Sequence, residues 1–258
     1  MKKVLAIAGI VVKELYRRKD FYVLFIITVL LSLVMASVNF FNDDKIVRYL
    51  KELCLLLIWI ASLVIAITTA ARQIPAEREQ RTLLPLLAKP VSRSQVLLGK
   101  FAGCWLACGG TLVCFYLFFG LLAMSREHSW PLLNYVQAMT LHWMLLGIVI
   151  AFVLFGSLVF AAPSSNTTIS FVLVLSILVL GRHLNKVALQ FSEPGRTITY
   201  TIYYLIPHLE LFDVRDLIIH NWPLIPWQYW AAALAYGGFF SALFIWLGCW
   251  AFQRKPVN

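Results

Sequence analysis

Residues 72–100 read RQIPAEREQRTLLPLLAKPVSRSQVLLGK, and on either side lie runs without a single charged residue, 53–71 before and 101–124 after. A bilayer core about 30 Å thick takes roughly 20 apolar residues as helix, so each flanking run is long enough to cross it. The charged stretch between them is then a connection on one side of a membrane. Its first half carries Arg72, Glu77, Arg78, Glu79 and Arg81. Thr82 opens an apolar patch of Leu83, Leu84, Leu86 and Leu87, and Pro90-Val91-Ser92-Arg93 turns the chain. Ser92 or Ser94 has the side chain to cap a helix running from Gln95 into the following span.

Outward from this connection, further charge-free runs occupy 21–41, 138–162, 167–181 and 229–252. The expectation is an all-α membrane protein with six transmembrane helices. The fifth run spans only if its helix continues past Arg182 through His183 and Lys186, whose side chains reach toward the interface. Of 258 residues, 61% are apolar and 13% charged, against nearly half and a quarter in soluble domains. Two units are expected: an amino-terminal element, 1–20, and one transmembrane domain, 21–258.

The net charge of +10 is read by position rather than as a nucleic-acid footprint. With a cytoplasmic amino terminus, the inner segments 1–20, 72–100, 163–166 and 253–258 hold 14 of the 22 Lys and Arg. The positive-inside rule therefore places both termini in the cytoplasm. In residues 1–20, Lys2-Lys3 precede nine apolar residues, too few to span, and no small-residue cleavage site follows. Val4, Ala8, Val11, Val12 and Leu15 recur at helical spacing, as in an amphipathic helix lying in the interface, with 17–20 the corner into the first span. A disordered basic leader is the alternative.

Several functions are disfavoured by what the spans lack. They contain no Asp, Glu, Lys or Arg, so a coupling ion finds no ionisable ligand at mid-membrane. His142, near the outer end of the fourth run, reads as an interfacial side chain. Gly99-Lys100 resembles the end of a phosphate loop, but Ser94 stands at the first glycine and Phe101 at the magnesium-binding hydroxyl. No GxSxG or HExxH occurs, and no cofactor or metal site is expected on the chain. Cys104 and Cys108, with Cys114 beyond, have the softness and spacing of a Cu(I) path, but they read first as small buried apolar residues. Gly99, Gly103, Ala107 and Gly110 lie near one helical stripe, as for close packing on a neighbouring helix. Asn166-Thr167-Thr168 matches a glycosylation acceptor, but in a short loop expected on the cytoplasmic side.

The outer stretch 182–228 is interrupted by Pro194-Gly195, Pro207, Pro223 and Pro226 and carries Trp222 and Trp227. It reads as short helices at or dipping into the outer interface. In the 72–100 connection, a charged arm, a leucine patch and a proline turn together fit a knob that docks a soluble partner. They equally fit an interfacial helix resting its leucines on lipid.

Glu77-Arg78-Glu79, Thr82-Leu83, Leu86-Leu87, Pro90-Val91-Ser92-Arg93 and Leu98-Gly99-Lys100 together resemble the hallmark of the type-2 ABC exporter permeases. KELYRRKDFYVLF at 13–25 is similar to that family's elbow helix. YYLIPHLELFDVRDL at 203–217 is similar to the segment before the last span in the subgroup of nitrous-oxide-reductase maturation and gliding-type permeases. The resemblance implies a half-transporter in a bacterial inner membrane. Its partners would be a second permease subunit, identical or related, and separate ATP-binding subunits that hold the ATP and magnesium, with membrane lipid around it and a periplasmic accessory protein outside. Residues 72–100 would be the coupling loop, with Leu83, Leu84 and Leu87 buried in the ATPase and Glu77, Arg78 and Glu79 as charged contacts. Pro85 confines that helix to a turn or two. Tyr203, Tyr204, Phe212 and Asp213 would belong to an outer gate or to an inert interfacial cap. Two further readings stand beside transport: a membrane module through which an ATPase does mechanical or assembly work on an external protein, and an integral lipid enzyme, which the shortage of carboxylates disfavours.

Overall fold

The computed structural model describes residues 2–17, 19–37, 44–79, 91–127, 131–160 and 162–254. Among them all regular structure is helical: α1 (Lys2–Tyr16), α2 (Lys19–Ser37), α3 (Asp44–Arg72), α4 (Pro75–Glu79), α5 (Arg93–Glu127), α6 (Leu132–Val159), α7 (Pro163–Ala188), α8 (Gly195–Leu205), a 3-10 turn (Leu209–Phe212), α9 (Arg215–Ile219) and α10 (Trp227–Arg254). Five described stretches are long and apolar enough to cross a membrane: Lys51–Glu79, Arg93–Met124, Leu132–Val159, Pro163–Gly181 and Trp227–Arg254. In α2 the described apolar stretch is shorter, Phe25–Val34.

α3, α5 and α6 form the centre, their apolar windows 61%, 56% and 67% buried, while α7 and α10 at 22% and 28% form the rim. Leu145, Leu146, Ile148, Ile150 and Leu154 of α6 are inaccessible and carry the core. A reciprocal clasp fixes α5 on α6. Trp105 Nε1 donates to the Trp143 carbonyl at 3.0 Å and Trp143 Nε1 to the Trp105 carbonyl at 2.9 Å, with the rings stacked at 4.6 Å. Each indole needs a glycine beneath it. A Cβ on Gly109 would lie 2.5 Å from Trp143 Nε1, and one on Gly147 3.0 Å from Trp105 Nε1. Partial burial of both indoles with their N–H groups satisfied stabilises the pair.

α7 runs past 181 to Ala188, as the fifth span requires. Residues 163–166, expected as a loop, are its first turn, with Pro163 pre-set for the helix start. Asn166 is fully buried, and its Nδ2 donates to the carbonyls of Ala71 at 3.3 Å and Val153 at 3.2 Å. A side chain so enclosed is no glycan acceptor; it ties α7 to α3 and α6.

Candidate functional site

The 72–100 connection is anchored at both ends. Thr82, Leu83, Leu84, Leu86, Leu87 and Pro90 lie outside the described residues. Beyond α3, Gln73 and Ile74 turn the chain into α4, which opens on Pro75, where a missing N–H is harmless. Across from it, Ser92 caps α5 in a reciprocal box: Gln95 N donates to Ser92 Oγ at 3.2 Å and Ser92 N to Gln95 Oε1 at 3.2 Å. The helix therefore starts at Arg93, two residues before the expected Gln95.

Arg93 reaches the other end of the chain. Its Nη1 donates to the carbonyls of Phe252 at 2.8 Å and Gln253 at 3.2 Å, and its guanidinium lies 5.7 Å from the Phe252 ring centroid. A cation thus closes the carboxyl end of α10, where the helix dipole and unpaired carbonyls favour it.

Lys100 is 3% exposed. Its Nζ lies 2.8 Å from Glu77 Oε1 and donates to Gln73 O at 2.7 Å and Gln73 Oε1 at 3.3 Å. A buried ammonium is tolerable only when paired and hydrogen-bonded, and three acceptors meet that need here. Lys100 consequently pins the α3–α4 corner onto α5. Of the three charges expected to meet a partner, Glu77 turns inward onto Lys100, Arg78 is half-buried and Glu79 is exposed.

The small-residue stripe of α5 receives α1. A Cβ on Gly99 would lie 2.7 Å from Ile7 Cβ, and one on Gly103 2.6 Å from Val11 Cβ and 2.9 Å from the Ala8 carbonyl oxygen. A Cβ on Gly110 would lie 2.8 Å from Tyr16 Oη, and Ala107 is buried on the same helix. Ile7, Ala8, Val11 and Leu15 form the buried face of α1, and Lys2, Lys3 and Lys13 are exposed.

At the opposite end of the bundle, residues 203–226 fold onto α3, α6 and α10. Tyr204 is 74% exposed, and Tyr203, partly buried, packs its ring against His208 at a tilt, with centroids 4.4 Å apart. Phe212, in contrast, is 1% exposed and part of the core. Asp213 receives Arg215 through both oxygens, Nε to Oδ1 at 2.7 Å and Nη2 to Oδ2 at 3.0 Å. Burial opposes the charge on Arg215, but the hydrogen-bonded Asp213 carboxylate together with the nearby Asp216 and Tyr116 outweighs it and holds the guanidinium pKa above its ordinary value. The four residues expected at one gate thus divide: Tyr204 is exposed, Tyr203 and Asp213 are partly buried, and Phe212 belongs to the core. A cavity of about 390 Å³ lies between this segment, α6 and α10, lined by Leu141, Leu211, Val214, Ile225, Trp230 and Tyr236 among others.

His142 corrects its expected place. It is 3% exposed, inside the bundle rather than at the interface. Ser62 Oγ lies 2.9 Å from the Trp59 carbonyl oxygen and 2.8 Å from His142 Nε2, and Tyr116 Oη lies 3.3 Å from Nδ1. The imidazole thus ties α6 to α3 and α5. Sequence reasoning took His142 singly; its partners Ser62 and Tyr116 are among several polar residues of their spans, and nothing local singles them out. Cys104 and Cys108 are buried in α5, and no group of three or more His, Cys, Asp and Glu suited to a metal occurs among the described residues.

No curated protein matches the sequence. The family model described as "ABC-2 family transporter protein" matches residues 5–257, taking in α1, the anchored 72–100 connection and the far-end segment. On this match the chain belongs to the ABC-2 transporter family, whose multi-pass membrane proteins partner with separate ABC ATP-binding subunits.

Proposed function

We propose that the chain is the transmembrane permease subunit of an ATP-driven ABC exporter of a bacterial inner membrane, with six spans and both termini cytoplasmic. Two such subunits, identical or related, work with separate ATP-binding subunits that hold the ATP and magnesium. Residues 72–100 are the coupling loop. Leu83, Leu84 and Leu87 supply apolar anchors in a cleft of the ATPase, Thr82, Leu86 and Pro90 belong to the same docking loop, and Arg78 and Glu79 supply rim charge.

The observation that carries this reading is the Lys100 clasp on Gln73 and Glu77. It makes the feet of the loop one rigid base, so a push from a closing ATPase moves α3 and α5 together instead of flexing a loose connection. The glycine stripe does not serve the second permease subunit in this reading, because α1 occupies it. The 203–217 resemblance supports the subgroup of nitrous-oxide-reductase maturation and gliding-type permeases.

Affinity purification from native membrane in mild detergent, with ATPase assay, tests the reading. A co-purifying Walker-type ATPase that is lost on Leu83→Asp is expected. Its absence across several detergents returns the loop to a lipid-contacting role.

A further inference from the structure

The far-end segment is bolted to two different helices. On the α3 side, Lys51, 3% exposed, donates from Nζ to Ile218 O at 3.4 Å and to Asn221 Oδ1 at 3.5 Å. Ile218 lies in the last turn of α9, so the ammonium meets unpaired carbonyls there. Asn221, at φ 50°, takes the left-handed position that ends α9 and lets Trp222 N reach Leu217 O at 3.2 Å. Arg215, held by Asp213, lies 5.2 Å from the Trp59 ring centroid of α3. Leu217, Ile218 and Ile219 are all buried.

On the α6 side, Asn134 Nδ2 donates to Trp222 O at 2.8 Å. Gln137, wholly buried, pairs with Ile225 as one peptide pairs with another, Nε2 to O at 2.9 Å and Ile225 N to Oε1 at 3.0 Å. His142 joins α6 back to α3 through Ser62. Lys51, the segment, Gln137, His142 and Ser62 therefore close a ring of directional contacts at this end of the bundle. α8, by comparison, buries none of its residues.

We propose that residues 209–226 are a fixed strap that travels with α3, with Lys51 and Arg215 as its positioning residues, and not a gate hinged against the bundle. Opening such a hinge would break charged and amide hydrogen bonds on two helices at once and expose three buried aliphatic side chains. Motion delivered to α3 at the Lys100 clasp arrives at the far face through the strap; access changes by tilting of the whole subunit. The source of that motion rests on the coupling-loop reading above; the strap itself does not.

Spin labels at Glu52→Cys on α3 and His220→Cys after α9, both exposed positions, test this in the full complex in nanodiscs, with Cys114 and Cys249 replaced by Ser. With labelled subunits diluted by unlabelled ones, the expected result is a narrow Glu52–His220 distance within the subunit, the same without nucleotide and after vanadate trapping, while an undiluted sample labelled only at Glu52→Cys shows its distance between permease subunits change. Lys51→Met is expected to broaden the Glu52–His220 distance and shift it longer. A Glu52–His220 distance that changes on trapping in the unsubstituted strap overturns the proposal, as does an α3 that stays put. If no ATPase associates, the coupling-loop reading fails. The nucleotide-free comparison of Lys51→Met and Arg215→Met with the unsubstituted chain then decides the strap alone, a narrow unshifted distance in both overturning it.

Discussion

Lys100 Nζ stands 2.8 Å from Glu77 Oε1, joining the first acidic residue of the charged arm to the last cation before the third apolar run. They stand twenty-three positions apart in the sequence, and the whole leucine patch lies in between. The pair does structural work inside the subunit, whereas Glu79, two residues on, is exposed. Two carboxylates that look equivalent in the sequence therefore have separable effects.

Glu79→Lys is expected to weaken ATPase association with no change in thermal unfolding of the detergent-solubilised subunit. Glu77→Lys is expected to lower both, because Lys100 is left buried beside a like charge; breaking such a pair costs about 3 kcal/mol. Fluorescence-detected unfolding alongside co-purification measures the two effects separately. Equal loss of association with no loss of stability in both variants would place Glu77 at the partner surface.

Gly103→Ala is expected to destabilise by about 1–3 kcal/mol through overpacking. The added Cβ would meet the Ala8 carbonyl at 2.9 Å, and backbone yields less readily than a side-chain tip. Gly9→Ala, on the same α1–α5 pair but with nothing within 4 Å of its Cβ, is expected to be neutral or to gain up to about 1 kcal/mol of helix propensity. Unfolding temperatures of the two variants check this, and a Gly103→Ala protein as stable as the parent would remove α1 from the stripe.

His142→Leu is expected to cost about 1 kcal/mol, the scale measured for interhelical hydrogen bonds between membrane helices. The triple change His142→Leu, Tyr116→Phe, Ser62→Ala is expected to recover part of that loss, because groups left without partners are removed along with the one that served them. Recovery fails if His142 acts through packing alone, and the unfolding temperature of the triple variant reads that difference.

Much of this organisation was legible from charge-free runs and local spacing. The apolar stripe of α1, the small-residue face of α5 and the Ser92 cap all follow from periodicities of a few residues, which a single helix imposes on its own sequence. What occupies the glycine stripe was not legible, because 3.6-residue spacing marks a face without naming its neighbour. The inward turn of Glu77 and the burial of Phe212 were hidden for the same reason: both depend on residues far away in the chain, Lys100 in one case and the α6–α10 core in the other. The Trp105–Trp143 clasp did leave a local trace, a tryptophan four residues before a glycine in each of two spans. That repeat is a packing signal, since only glycine lets an indole lie flat against the facing helix.

Gln137 offers the most direct hold on the far-end segment. Its amide makes both a donor and an acceptor contact to the Ile225 backbone, so Gln137→Leu, close in volume, removes both and leaves a buried N–H and C=O facing a methyl group. An unsatisfied buried group costs about 1–3 kcal/mol. Because the loss falls on one short extended stretch, it is expected to appear as local opening before global unfolding. Hydrogen–deuterium exchange should accelerate at Ile225 and its neighbours while α6 around Leu145 and Leu146 stays protected. Uniform acceleration across α6 and the segment would mean that Gln137 supports the helix itself and that the segment is held by its buried aliphatic side chains instead.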